Sequence, residues 1–178
     1  MNTRDICMMA LFTALTAVMA QISVPMPLGV PMTMQTFAIM LTGMAIGARR
    51  GFFSILAYVL LGTAGVPVFA QLSGGMGIVF GPTGGFILSF PLMAWIVGMG
   101  AERGGVAAVV IGLFAGIVVN YAAGMLMFCM ITGQSAEAAF MACVFPFIPT
   151  GVIKAVMAAL LGTRLRAKFS IALMLLAC

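Results

Sequence analysis

Lys154 is the one charged residue in an otherwise apolar run, IKAVMAALLG (residues 153–162). If this run crosses a bilayer, a lysine near its centre costs about 2.5–3.5 kcal/mol on insertion scales, and such charges mark candidate functional sites. Two interpretations are open. The ammonium group either extends along its aliphatic stem to water at the outer membrane surface, or it receives an anionic group of a substrate.

Two amides are expected to lie at a depth similar to that of Lys154. A rise of about 1.5 Å per residue puts Asn120 roughly 22 Å above the start of its helix, and Gln35 lies a turn inside another helix. With the cation they suit a small ligand that has a carboxylate at one end and a neutral hydrogen-bonding head at the other. The alternative for both amides is hydrogen bonding between helices. Tyr58 is predicted to lie in the inner half of the membrane and to be a poor ligand contact. The other candidate site residues are Gln71, Ser73, Thr83, Phe86 and Tyr121.

Residues for other kinds of chemistry are scarce. The chain has no histidine, and its acidic residues are Asp5, Glu102 and Glu137, the last two in loops predicted on opposite sides. No nucleophile is paired with a base, and no G-x-x-x-x-G-K-[ST] motif offers an ATP site. The four cysteines lack C-x-x-C spacing, which argues against a metal site. We therefore predict no enzyme activity, no catalytic residues, no metal and no cofactor.

The composition indicates the class of protein. Of the 178 residues, 64% are hydrophobic and only 6% are charged, and the mean hydropathy is +1.27. So few charged side chains cannot cover the surface of a soluble domain of this size. The chain is therefore predicted to be an integral membrane protein. Its net charge of +5 is then explained by basic residues at one membrane face, which set the orientation of the protein in the membrane. We therefore expect no nucleic-acid partner.

Proline, glycine and charge divide the chain into six predicted transmembrane helices, which makes the fold class all-α. The first apolar run has 19 residues, longer than the core of a signal peptide at about 7–15 residues, so we expect it to be a helix. We predict one six-helix membrane domain over residues 1–168 and an apolar tail, 169–178, that is too short to span the membrane. The helices are predicted at residues 6–24, 32–48, 51–65, 84–100, 105–132 and 150–167, with a three-proline turn at 25–31 and a loop with room for a short helix at 133–149.

The basic residues give these helices an orientation. Loops on one predicted side contain seven Lys and Arg, whereas loops on the other side contain Glu137 and no Lys or Arg. Because positive loops stay in the cytoplasm, both termini are predicted to be cytoplasmic, and residues 74–86 to lie outside. The seven basic residues are Arg4, Arg49, Arg50, Arg103, Arg164, Arg166 and Lys168.

Ala10 and Ala14 form an A-x-x-x-A pattern on the first predicted helix. Two small side chains on one face let another helix approach closely. That helix belongs either to this chain, with Ala17 and Gly43 extending the packed surfaces, or to a separate membrane subunit. We predict that the face of Ala10 and Ala14 docks a separate subunit.

Five stretches of the sequence resemble the BioY family, the biotin-specific S components of energy-coupling-factor (ECF) transporters. The fourth, GGMGIVFGPTGGF, has six glycines and no charge, so it lacks the cation expected of a phosphate-binding loop. The resemblance covers about residues 7–165. The stretches are PMTMQTF (31–37), IGARRGFFS (46–54), YVLLGTAGVPVFA (58–70), GGMGIVFGPTGGF (74–86) and PFIPTGVIK (146–154).

The resemblance implies a biotin site near the outer face of the plasma membrane, capped by the loop between the third and fourth helices. Gly74 and Gly75 would then allow tight turns and close backbone approach to the ligand. It also implies a membrane coupling subunit and two ATPase subunits as partners. The chain departs from the family in having Thr150 and Gly151 after Pro149, where the family has Gly and Asp, and Phe86 in place of a tyrosine. Thr150 is expected to cap the last helix instead.

Two other functions are compatible with the residues alone. One is a stand-alone facilitator or channel, and the other is an S component for another small carboxylated vitamin. Co-purification of ATPases separates the first from an ECF subunit, and the identity of the bound ligand separates the second.

Overall fold

The computed structural model describes residues 2–26 and 30–175, with side chains as far as Phe169. Part of the predicted proline-rich turn (27–29) and the end of the predicted tail (176–178) lie outside the described residues. The described part contains eight α-helices, one short 3-10 helix at Ala70–Leu72 and one two-stranded hairpin. The α-helices and strands are α1 (Thr3–Gln21), β1 (Ser23–Val24), β2 (Met32–Thr33), α2 (Gln35–Ile46), α3 (Ala48–Thr63), α4 (Met76–Val79), α5 (Gly84–Arg103), α6 (Val106–Thr132), α7 (Ala136–Cys143) and α8 (Phe147–Leu175).

Helix α1 ends three residues earlier than predicted, because the chain turns into a hairpin. Ser23 pairs with Thr33, and Val24 pairs with Met32, in antiparallel register. Val24 precedes Pro25, and a residue before proline is pushed out of the helical region into extended backbone. The proline-rich turn thus connects two short strands, and it places β2 directly before α2.

Helices α2 and α3 are joined by Gly47 alone, which differs from the prediction that the arginine pair separates them. Gly47 has a φ of +85°, a conformation that favours glycine. Arg49 and Arg50 therefore lie in the first turn of α3. The backbone N–H of Ala48 donates to a carboxylate oxygen of Glu102 at 2.8 Å. An acid at a helix N-terminus is favourable because it meets the positive end of the helix dipole.

Helix α5 is the centre of the packing, and glycines let its neighbours approach closely. Gly98 on α5 faces the backbone of Gly47 and Ala48, and Gly100 faces Gly112 on α6. Gly43 on α2 packs against the Ala94 carbonyl on α5, so it does not extend the surface of Ala10 and Ala14. Apolar side chains fill the space between these backbones, among them Ile39, Met40, Met44, Ile55, Met93 and Val97.

Gly98→Ala is expected to destabilise the fold, because a Cβ there would overlap backbone atoms of Ala48 that cannot move away. Overpacking of this kind costs about 1–3 kcal/mol, so the midpoint of thermal unfolding in detergent should fall by several degrees. Gly77→Ala is the matched control, because nothing lies within 4 Å of its added Cβ. Equal melting midpoints for the two variants would contradict the close contact at Gly98.

The last third of the chain differs from the prediction in two ways. The short helix α7 lies in the predicted loop, which had room for one, but α8 begins at Phe147 rather than at Thr150. Pro149 fits inside α8 because the N–H groups of a first helical turn have no partner within the helix. Helix α8 also continues past residue 167 through Leu175, so the predicted tail is a helical extension as far as the structure describes it.

Four helices in the described part of the chain are long and apolar enough to cross a membrane. They are Thr3–Gln21, Gly84–Arg103, Val106–Thr132 and Phe147–Phe169. The apolar helix α2 has 12 residues and α3 has 16, both below the roughly 20 residues of a typical span. The predicted all-helical membrane class is confirmed to this extent, and the count of six spanning helices stays a prediction.

Candidate functional site

A cavity of about 200 Å³ lies among α2, α5, α6 and α8 and is bordered by the β1–β2 hairpin and the loop between α3 and α4. The structure brings eight of the ten predicted substrate-site residues to its wall. Gly74 and Gly75 do not line it. The eight are Gln35, Gln71, Ser73, Thr83, Phe86, Asn120, Tyr121 and Lys154.

Lys154 reaches the cavity from α8, and only 7% of its surface is exposed. Its Nζ atom donates a hydrogen bond to the backbone carbonyl of Thr33 at 2.6 Å. The head group is therefore held between α8 and β2, and it is not extended freely into outer water. One carbonyl leaves two of the three ammonium hydrogens for other acceptors.

No carboxylate in the described part of the chain lies at this lysine. Asp5 pairs with Arg50 at 3.0 Å, and Glu102 accepts a hydrogen bond from the first turn of α3. Glu137 lies in the first turn of α7 and does not line the cavity. A buried cation without an anion is costly unless it gains a charged partner, so Lys154 is suited to an anionic group that enters from outside the chain.

Gln35 is held in place by its neighbours. Its Oε1 accepts from the Thr33 hydroxyl at 2.9 Å, and its Nε2 donates to the Tyr58 hydroxyl at 2.6 Å. Tyr58 in turn donates to the Val68 carbonyl at 2.9 Å. Tyr58 does not line the cavity, in agreement with its prediction as a poor ligand contact, but its hydroxyl accepts from a side chain that does. Helix α3 is short and ends at Thr63, so Tyr58 lies in its last third and its hydroxyl supports the cavity wall.

Asn120 links α6 to α5 and keeps one hydrogen-bonding atom free. Its Nδ2 donates to the Phe86 carbonyl at 3.0 Å and to the Ser89 hydroxyl at 2.8 Å. Because the carbonyl can only accept, these contacts determine which end of the amide is the nitrogen. Asn120 is 1% exposed, and its Oδ1 has no hydrogen-bond partner among the described residues. Buried polar atoms rarely lack a partner, so this oxygen is suited to an N–H donor of a ligand.

The loop between α3 and α4 forms one side of the cavity through a tight turn. Phe69 and Ser73 form an isolated bridge, with the Phe69 N–H donating to the Ser73 carbonyl at 2.9 Å. The Ser73 hydroxyl donates to the Ala70 carbonyl at 2.6 Å. Between them, Gln71 and Leu72 have φ values of 58° and 53°, which side chains other than glycine seldom adopt. This turn presents Gln71 and Ser73 to the cavity.

Gly74 and Gly75 determine the backbone path of this loop on the side that faces the end of α3. A Cβ at Gly74 would overlap the Val66 carbonyl. Gly75 has a φ of +103°, and its N–H donates to the Gly62 carbonyl at 2.7 Å. These glycines fold the loop back onto the end of α3, and they do so without lining the cavity.

The start of α8 contributes an apolar wall. The hydroxyls of Tyr121 and Thr150 both donate to the Phe147 carbonyl, each at 3.1 Å. The prediction that Thr150 caps α8 is therefore wrong, because Thr150 lies inside the helix and bonds to the carbonyl three residues before it. Gly151 lies beside Tyr121, whose hydroxyl would be 2.8 Å from an added Cβ.

Sequence reasoning did not select most of the apolar wall. Such side chains carry no chemical signature that separates a ligand-facing residue from ordinary packing. Several lie inside the stretches that resemble BioY, which was the only available signal. The unselected lining residues are two threonines, Thr33 and Thr36, and the apolar Val30, Pro31, Phe69, Ala70, Ile78, Ile87, Phe90 and Phe147.

The A-x-x-x-A pattern of α1 lies on the outside of the helix packing. Ala10 and Ala14 are exposed, and so are Leu11 and Val18 on the same helix. Ala17 is half-buried and packs against the core. Internal packing therefore does not account for Ala10 and Ala14, and their face is free to meet another molecule.

These observations define a small helical membrane protein with a cavity that contains a buried cation without a carboxylate partner and a buried amide oxygen without a donor among the described residues. The family model described as "BioY family" matches residues 1–171. The chain belongs to the BioY family, which confirms the resemblance.

Relatives with the same description extend over nearly the whole chain. "Probable biotin transporter BioY" of Pyrococcus horikoshii is 40% identical over 93% of this chain and 98% of its own. "Biotin transporter BioY" of Rhizobium etli is 37% identical over 91% of this chain and 92% of its own. The protein of that name from Thermotoga maritima is 36% identical, with coverages of 92% and 96%.

A solved structure shares the fold. It is the crystal structure at 2.1 Å of "the S-component for biotin from an ECF-type ABC transporter", with a TM-score of 0.84. The match covers 94% of this chain and 95% of that chain at 22% identity, which supports the same arrangement of helices.

Proposed function

We propose that this chain is the biotin-binding, substrate-capture subunit of an ECF-type vitamin uptake transporter, and that partner subunits supply ATP hydrolysis. Membership of the BioY family and relatives described as biotin transporters support this function. The observation that carries it is the pairing, in one cavity, of a buried cation without an acid and a buried amide oxygen without a donor. The chain binds and releases its substrate and does not alter it chemically.

The cavity matches the two ends of biotin. The carboxylate of the ligand pairs with Lys154 and supplies the anion that the described residues do not provide; hydrogen bonds between charged groups are the strong ones. A ureido N–H donates to the free Oδ1 of Asn120. The aromatic wall of Phe86, Phe90 and Phe147 covers the apolar part of the ligand. The Lys154 ammonium and the Asn120 Oδ1 thus each receive a partner from the ligand.

The loop between α3 and α4 acts as the cover of this site. Gln71 and Ser73 contact the ligand, and Gly74 and Gly75 give the loop its close backbone path without touching the ligand through side chains. Gly151 has a further consequence. An acid at this position would lie three residues before Lys154 on the same helix face, so its absence leaves the cation to the ligand.

In the membrane, α1, α2, α3, α5, α6 and α8 form the six spanning helices of one domain over residues 1–168. Both termini are in the cytoplasm, the site faces outside, and the protein lies in the plasma membrane. The ion pair between Asp5 and Arg50 joins the first helix to the basic end of the third, which is consistent with one charged cytoplasmic side. We assign no role to residues 169–178.

This orientation predicts a labelling pattern in a cysteine-free background. A cysteine at position 73, replacing Ser73, should react with a membrane-impermeant thiol reagent added to intact cells. A cysteine replacing Arg103 should react only after the membrane is opened, because positively charged loops stay inside. The reverse pattern would overturn the orientation.

The docking partner is the coupling subunit of the transporter, which contacts the exposed face of Ala10 and Ala14. Small residues at this spacing let two helices in a membrane approach closely. Two ATPase subunits complete the assembly on the cytoplasmic side and drive release of the substrate.

Binding of biotin by the purified chain tests the proposed function directly. Titration calorimetry should show one biotin per chain, and mass spectrometry of ligand extracted from protein made in rich medium should show biotin. A different carboxylated vitamin in the extract, together with no heat of binding for biotin, would overturn the assignment.

A further inference from the structure

The side chain of Gln21, at the end of α1, holds the loop between α3 and α4 at two points. Its Nε2 donates to the Phe69 carbonyl at 3.1 Å, and its Oε1 accepts from the Leu72 N–H at 2.8 Å. The same Nε2 also donates to the Ala17 carbonyl of its own helix at 3.0 Å. The amide therefore joins α1 to both sides of the short segment that contains Gln71.

This segment has an unfavourable backbone conformation. Gln71 and Leu72 both have left-handed backbone angles, and a bulky residue such as leucine is strained there. Packing does not hold Leu72 in place, because 70% of its surface is exposed. The bridge between Phe69 and Ser73 closes the segment within the loop, and the two contacts of Gln21 bind it to α1.

We infer that Gln21 is a positioning residue for ligand capture, which holds the turn at Gln71 and Leu72 closed over the cavity. Gln21 does not line the cavity, so it acts through the turn and not by contact with the ligand. The predicted change in ligand dissociation rests on the proposed function, biotin binding. The predicted change in the conformation of the turn does not depend on it. Loss of the amide releases the turn, and the side of the cavity formed by Gln71 and Ser73 opens.

Dissociation of biotin is the first test. In Gln21→Leu, labelled biotin chased with excess unlabelled biotin should leave about tenfold faster than from the wild type, as expected for two lost hydrogen bonds. Gln134→Leu is the matched control, because Gln134 is an exposed glutamine in the connection between α6 and α7, and its rate should not change. An unchanged rate in Gln21→Leu, with the wild type binding biotin, would overturn the inference.

A second substitution separates the turn from general damage to the fold. Leu72→Gly, added to Gln21→Leu, should slow dissociation severalfold towards the wild-type rate, because glycine adopts left-handed angles without strain. A variant that is merely less well packed would gain nothing from a glycine at this exposed position. Dissociation from the double variant as fast as from Gln21→Leu would contradict action through the turn.

Hydrogen exchange without any ligand tests the contact between Gln21 and the turn independently of biotin. The Leu72 N–H, bonded to Gln21 in the wild type, should exchange at least about tenfold faster in Gln21→Leu. Amides in the middle of α5 should keep their protection. Equal exchange at Leu72 in both proteins would refute the role of Gln21 in holding the turn. Failure of the wild type to bind biotin would refute only the proposed function.

Discussion

Lys154→Met is expected to weaken biotin binding about ten- to a hundredfold, because a hydrogen bond to a charged group contributes about 1.5–3 kcal/mol. Without the ammonium group, the carboxylate of the ligand enters a largely apolar cavity unpaired. Methionine keeps much of the lysine stem, so the melting midpoint should change little. Titration calorimetry of both proteins measures the loss.

The amide of biotin provides the control for this prediction. It has no charge for Lys154 to neutralise, so Lys154→Met should change its affinity only slightly. The two ligands on two proteins form a cycle that isolates the interaction between the ammonium and the carboxylate. Equal losses for acid and amide would show that the carboxylate lies elsewhere, and that the bond between Lys154 and Thr33 is purely structural.

Ala14→Trp is expected to abolish most biotin uptake while leaving biotin binding by the isolated chain intact. Ala14 is exposed on α1, so a large ring there disturbs no internal contact. It does keep another helix from approaching closely. Uptake and recovery of the assembled transporter should fall by at least about tenfold, the equivalent of roughly 1.4 kcal/mol of lost association.

Ala122→Trp is the matched control for docking. Ala122 is also an exposed alanine, but it lies on α6. Its replacement adds the same ring to the chain at a face with no proposed partner, and uptake should persist. If Ala14→Trp binds less biotin but still assembles, the face of α1 supports the site and does not dock a subunit.

The sequence predicted the helices well where apolar runs end at glycine or charge, and less well where contacts between distant residues decide the boundary. Residues 84–100 and 105–132 were placed close to the observed α5 and α6. The arginine pair was expected to separate the second helix from the third. Instead, Gly47 makes the turn between α2 and α3, and Glu102 caps α3. That cap joins positions 54 residues apart, and no local pattern contains it.

The polar half of the site was predictable because a lysine or an asparagine inside an apolar membrane helix is costly and therefore marks a candidate functional site. Lys154 and Asn120 were selected on this ground, and both line the cavity. The pattern did not indicate which of their atoms have partners. The bond to Thr33 depends on the hairpin after α1, and the bond between Gln35 and Tyr58 joins two helices at positions 23 residues apart. The apolar wall had no signal of its own.

The glycine contacts along α5 have a consequence for how this chain tolerates mutation. At Gly98, Gly43 and Gly85 an added methyl group meets the backbone of a neighbouring helix, and a backbone cannot change rotamer to make room. In a saturation library selected only for folded protein, these positions should return glycine almost alone. Exposed positions of α6 such as Val110 and Phe114 should accept any apolar residue. Conserved glycines on α5 would then reflect the close approach of neighbouring helices. Conserved residues around the cavity would reflect binding of the ligand.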